Sequence, residues 1–123
     1  MKIRESEEMY LETIFLLQKR MGAVRSVDVA EELDYSRPSV SRAMGLLSQK
    51  EYIQIDKGGV ISLTPTGEAR AEEIYERHEV ITKFLIDLGA DTEMAEDNAC
   101  RIEHVISAEL FALLKRHLDE RKK

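Results

Sequence analysis

The chain has 123 residues, of which 43% are hydrophobic and 34% charged. That is enough for one compact domain or two small ones; it excludes wholesale disorder and any TIM barrel or full dinucleotide-binding domain with a separate substrate domain. Eighteen Lys and Arg against 24 Asp and Glu give a net charge of −6, which excludes a uniformly basic nucleic-acid coat but leaves room for a local basic face.

The first predicted element is a helix from about Ser6 to Met21. Tyr10, Ile14, Leu17 and Met21 recur at helical spacing, and Gly22 follows as a stop. A short helix is expected over Val27 to Leu33, with Ser26 as its N-cap and Val29, Ala30 and Leu33 inward. Asp34-Tyr35-Ser36 reads as a turn. Ser36 then caps a third helix that accommodates Pro38 in its first turn and runs to about Lys50, with Val40, Met44 and Leu47 on one face. The period changes next. Tyr52–Asp56 and Val60–Leu63 alternate apolar and polar residues around Lys57-Gly58-Gly59, a hairpin signal. Thr64 caps a further helix with Pro65 at its first position, extending to Leu88 before Gly89. Two more helices are expected at Thr92–Ile106 and Ser107–Arg121.

Helix, short helix, turn, helix and hairpin is the order of a winged helix-turn-helix, whose second helix of the turn enters the DNA major groove. Protein-interaction modules share this order. The fold class is mainly α: an N-terminal winged helix-turn-helix over 1–71 with a small β-hairpin wing, then a helical dimerisation and metal-binding domain over 72–123. Charge is divided in the same sense. Residues 1–64 carry nine basic and ten acidic side chains, whereas residues 65–123 carry nine and fourteen. Ser36, Arg37, Pro38, Ser39 and Arg42 open the third helix, and hydroxyls, backbone N–H groups and guanidinium forks suit phosphates and base edges. Arg25 and Lys57, at the hairpin tip, are further phosphate candidates. The plain alternative is that Ser36 only caps and the arginines are solvated.

The second half carries a different chemistry. On one continuous helix, Cys100, Glu103 and His104 stand at i, i+3 and i+4 and share a face, with Glu96 extending the stripe. A thiol, a carboxylate and an imidazole together can ligate a transition metal. His78 on the long helix, and Met9 with Glu12 on the first, are further donors. Each has a structural alternative: Met9 in the core, Glu12 and the Glu–His pair solvated, Cys100 a small buried hydrophobe. An ion held between the first and later helices would tie the DNA-reading half to the acidic half. Apolar residues after Pro65 (Ile74, Ile81, Leu85, Leu88, Leu110, Phe111, Leu113, Leu114, Leu118) exceed what three helices bury alone, which predicts a homodimer; the plain alternative is that part of them packs against the first half.

The strings Glu8–Phe15, Val27–Leu33, Ser36–Ser41, Leu63–Gly67, Arg77-His78 and Ala99–His104 resemble the metal-dependent repressors of the diphtheria toxin repressor and manganese transport regulator family. The resemblance covers essentially the whole chain. It implies a homodimer that binds palindromic operators of metal-homeostasis genes in the presence of divalent metal. It also implies that Met9, Cys100, Glu103 and His104 match the principal site of the toxin-repressor branch. Glu12 then matches a ligand of the manganese branch, and His78 a second-site ligand of both. Glu96 falls where the toxin-repressor branch has a second-site histidine. Thr82 stands where that branch has a carboxylate, a departure at the second site. The chain is expected to stop before the SH3-like third domain of longer relatives.

The sulfurs of Met9 and Cys100 favour Fe²⁺, with Mn²⁺ second; Co²⁺, Ni²⁺ or Zn²⁺ are expected to substitute in vitro. One cysteine excludes an intrachain disulfide framework. No apolar run approaches bilayer length and no signal-peptide stretch is evident, so a cytoplasmic location without membrane partner or small-molecule substrate is expected. Two rival readings remain open: a metal-independent winged-helix regulator, and a small metal-dependent enzyme, for which no separate general base or substrate pocket is evident.

Overall fold

A computed structural model describes residues 2–121, with side chains over 7–121. The chain divides into two compact units, Met1–Glu72 and Glu73–Lys123. The elements run α1 (Lys2–Met21), α2 (Ser26–Leu33), α3 (Arg37–Gln49), β1 (Ile53–Ile55), β2 (Ile61–Leu63), α4 (Pro65–Leu88), α5 (Thr92–Ile102) and α6 (Ala108–Arg121).

In the first unit, α2 contacts α1 and α3, α3 contacts β1, and α1 contacts β2. The helical periodicity of the sequence supplies the core. Leu11, Ile14 and Leu17 of α1, Val29 and Ala30 of α2, and Val40, Met44 and Leu47 of α3 are all buried, as are Ile53 and Ile61 of the hairpin. Each fully buried aliphatic side chain contributes about 1.5–3 kcal/mol of transfer free energy. The helix α1 begins earlier than expected, because no breaker precedes Ser6.

The expectation that Ser26 caps α2 is corrected. Arg25 occupies the N-cap, and the Asp28 carboxylate three residues on accepts its backbone N–H at 2.8 Å. The turn before α3 uses Asp34 in the left-handed region (φ 57°), closed by Tyr35 N–H donating to the Ala30 carbonyl at 3.1 Å.

The strands β1 and β2 pair antiparallel with Ile53 opposite Leu63, Gln54 opposite Ser62 and Ile55 opposite Ile61. Asp56 Oδ1 organises the turn by accepting from Gly58 N–H (2.8 Å) and Val60 N–H (2.9 Å), and Gly59 takes φ +84°. The wing is tied to the helices at its inner edge, where Ile61 N–H donates to the Val24 carbonyl at 2.7 Å. Thr64 Oγ1 accepts from Gly67 N–H at 3.0 Å, the N-cap expected for α4. Gly67 is required by close approach: an added Cβ would lie 2.0 Å from the Tyr52 carbonyl oxygen.

The second unit comprises the rest of α4 with α5 and α6. Asp91 caps α5, accepting from Met94 N–H at 2.8 Å, and Ser107 caps α6, accepting from Leu110 N–H at 3.1 Å. Ile74, Ile81, Ala95 and Ala99 are buried. The helix α6 buries none of its residues; it meets α4 through ion pairs from Lys115 to Glu76 and Arg121 to Asp87. Among the described residues, no helix is long and apolar enough to cross a membrane.

Candidate metal centre and DNA-reading face

The start of α3 is built to present polar atoms outward. Val40 is fully buried and fixes the helix orientation, while Ser36, Arg37, Pro38 and Arg42 are exposed and Ser39 is half-buried. Ser36 is the N-cap: its Oγ accepts from Ser39 N–H at 3.3 Å and donates to Ser39 Oγ at 2.8 Å. Helix N-terminal amides, two hydroxyls and two guanidinium groups therefore face solvent together, a set suited to phosphate oxygens and base edges. Lys57 stands exposed at the wing tip. Arg25 also bonds within the protein, its Nε donating to the Gly58 carbonyl at 3.1 Å and so bracing the wing against the start of α2.

On α1, Glu8 and Glu12 are buried carboxylates and Met9 is half-buried. Glu8 pairs with Arg70 at 3.2 Å. The Met9 thioether accepts a hydrogen bond from the Tyr35 hydroxyl at 3.6 Å, and Tyr35 packs edge-on against Tyr10 at 6.2 Å. Burial pushes the Tyr10 phenol above its ordinary value of 10.0, and Tyr35 adds to the rise.

In the second unit, the expectation of a continuous helix through Ile106 is corrected. The helix α5 ends at Ile102, Glu103 is its C-cap, and His104 lies in the turn that follows. Glu103 keeps helical dihedrals, but burial divides the set: Cys100 and Glu96 are exposed, Glu103 is fully buried and His104 half-buried. What converges instead is Glu103 with two imidazoles. His78 Nδ1, from α4, stands 3.1 Å from Glu103 Oε2, and His104 Nε2 stands 3.3 Å from Oε1. Neither carboxylate oxygen accepts a hydrogen bond of good geometry among the described residues. Directly before His78, Arg77 Nη1 donates to the Glu103 carbonyl at 2.9 Å.

A buried carboxylate is costly unless it is well paired or bound to a cation. Oxygen and imidazole nitrogen together suit a first-row divalent ion, and the Glu103 and His104 donor atoms lie close enough to share one. Thr82, one turn after His78 on α4, buries its Oγ1 without a hydrogen-bond partner among the described residues. The sequence reading gave Arg77 no role beyond its place in the Arg77-His78 string. A usable signal existed: it is a lone cation among Glu72, Glu73, Glu76 and Glu79, directly beside a candidate ligand. Tyr35 had no comparable signal.

A three-helix reading head with a braced wing, accompanied by a helical unit holding a Glu–His–His cluster, defines the class of a DNA-binding regulator with a metal-binding unit. Comparison with known proteins agrees. Residues 2–59 match the family model "Iron dependent repressor, N-terminal DNA binding domain", and residues 64–123 match "Iron dependent repressor, metal binding and dimerisation domain". The transcriptional regulator MntR of Salmonella typhimurium is 37% identical over 106 residues, covering 86% of this chain and 68% of the relative. The diphtheria toxin repressor of Corynebacterium jeikeium is 32% identical, covering 94% of this chain and 49% of the relative. Among solved structures, the metal-dependent transcriptional regulator MtsR superposes with a TM-score of 0.84 at 29% identity, covering 92% of this chain and 53% of that one. A manganese-dependent transcriptional repressor in complex with manganese superposes with a TM-score of 0.85 at 25% identity, covering 92% and 52%. The chain thus spans about half the length of several of its relatives.

The chain belongs to the iron-dependent repressor family of metal-dependent transcriptional regulators, with a DNA-binding domain followed by a metal-binding and dimerisation domain.

Proposed function

We propose that this chain is a homodimeric repressor that binds palindromic operators of metal-homeostasis genes when a divalent ion is bound, Fe²⁺ first and Mn²⁺ second. The observation that carries the reading is the Glu103 carboxylate, fully buried, with the His78 and His104 imidazoles facing its two oxygens and no well-formed hydrogen bond among the described residues. Met9, Glu12, Glu96 and Cys100 are the further donors. The sulfurs of Met9 and Cys100 move preference from Mn²⁺ toward Fe²⁺, whereas imidazole and carboxylate also serve manganese, the ion held by a solved relative. Arg25, Ser36, Arg37, Pro38, Ser39, Arg42 and Lys57 form the DNA-facing set. The exposed apolar side chains of the second unit, including Leu88, Met94, Val105, Leu110 and Leu113, support a dimer interface.

The test is selection from a random duplex pool with the metal-free chain, with anaerobic Fe²⁺, and with Mn²⁺. The reading expects one palindrome, recovered only with metal, and its loss on His104→Ala in a folded protein. Metal-independent recovery of the same sequence would contradict it.

A further inference from the structure

We infer that Arg77 is the positioning residue of the metal centre: it sets where α5 ends, and so where the Glu103 carboxylate and His104 imidazole stand. The inference rests on the metal reading above. Between Arg101 and Ser107 the sequence contains neither Gly nor Pro, so no local breaker stops the helix at Ile102. Glu103 itself still has helical dihedrals, φ −58° and ψ −25°, and its N–H donates to the Ala99 carbonyl at 2.9 Å. Were α5 to continue, the Glu103 carbonyl would accept from the amide of Ser107. That carbonyl is instead taken by Arg77 Nη1 at 2.9 Å. The amide of Val105 turns back to the Ile102 carbonyl in a tightened turn, Ile106 makes the last helix-type bond to the same oxygen, and the ladder goes no further. Ser107 becomes the cap of α6.

The stop is therefore imposed from another helix. Two consecutive residues of α4 grip Glu103 at its two ends: Arg77 holds the main-chain oxygen and His78 faces the carboxylate at 3.1 Å. Arginine suits the task chemically. Its guanidinium is a donor at every working pH, its planar fork loses little freedom on bonding, and a cation at the end of α5 meets the negative end of the helix dipole. With α5 ended at this residue, His104 turns its Nε2 toward the same carboxylate that His78 faces.

Groups that orient metal ligands typically change affinity 10–100-fold when removed. The experiment uses the full chain and Co²⁺ as probe, read by its ligand-field absorption and by calorimetric titration, with Ser107 amide exchange measured on the metal-free protein. Arg77→Ala is expected to weaken Co²⁺ binding about 10–100-fold, to shift the absorption band, and to slow exchange at Ser107 as α5 extends. Arg77→Lys, which retains a donor without the fork, is expected between Arg77→Ala and the unaltered chain; it decides the matter if the alanine variant does not fold. Affinity and band equal to those of the unaltered chain in the folded variant overturn the inference. An unaltered chain with no band, or a band that survives Glu103→Gln, overturns the metal reading itself and the inference with it.

Discussion

Glu103→Gln changes one charge and almost no volume, and its effect should reverse in sign between metal-free and metal-loaded protein. The carboxylate is fully buried and, among the described residues, neither oxygen accepts a well-formed hydrogen bond. An unsatisfied buried polar group costs about 1–3 kcal/mol, and a charged one more. The neutral amide removes that penalty and can donate to an imidazole nitrogen, so the metal-free variant should gain about 1–3 kcal/mol of unfolding free energy. With metal the order inverts. An ion that binds only the folded chain adds about 2.7 kcal/mol when its free concentration is 100 times the dissociation constant. The unaltered chain should show this gain and the variant almost none. Urea unfolding at fixed protein concentration, with and without Mn²⁺, measures all four values. If the carboxylate is a satisfied structural ion pair, breaking it would destabilise the metal-free protein by about 3–5 kcal/mol. That loss, or a metal-induced gain that survives the substitution, would refute the reasoning.

Other outcomes follow from individual contacts. Gly67→Ala places a Cβ 2.0 Å from the Tyr52 carbonyl oxygen and 2.9 Å from its carbon, so urea unfolding should show a loss of about 2 kcal/mol or more. Ser36→Ala removes the α3 N-cap and should cost about 1 kcal/mol in the same assay. Lys57→Ala should lower the slope of log DNA affinity against log salt by about 1 without altering the preferred sequence. The Tyr10 phenol, raised above 10.0 by burial and then by Tyr35, holds its proton more tightly folded than unfolded. Stability should accordingly be complete below about pH 10 and fall as pH rises past it, and Tyr10→Phe should flatten that fall in an alkaline series of unfolding curves.

The reading head was legible because its signals are local. Ser36 and Thr64 as caps, Gly59 at the wing turn, and the buried series Ile14, Leu17, Val40, Met44 and Leu47 each follow from spacing or from one residue's conformational preference. At the start of α2, Ser26 has cap chemistry, but the Asp28 carboxylate takes the amide of Arg25 and the cap falls one residue earlier. At the metal centre, residue types were legible and geometry was not. The helix period places Cys100, Glu103 and His104 on one face, but it does not say that Glu103 is buried while Cys100 stays exposed. The end of α5 depends on Arg77, 26 residues earlier, and no sequence window around Glu103 contains it. The pairing of Glu103 with His78 is likewise a tertiary contact. The exposed apolar side chains of the second unit were visible as an excess of hydrophobic residues, though not as the particular set that stays exposed.

The central claim is that metal and DNA binding are thermodynamically linked, and the most direct test is reciprocity. DNA affinity should be measured with and without Mn²⁺, and Mn²⁺ affinity with and without the selected duplex, in one buffer. The account predicts the same factor in both directions, roughly 5–150-fold, with both factors falling to one in Glu103→Gln. Equal Mn²⁺ affinity with and without the duplex, for a chain that binds that duplex specifically, would contradict it.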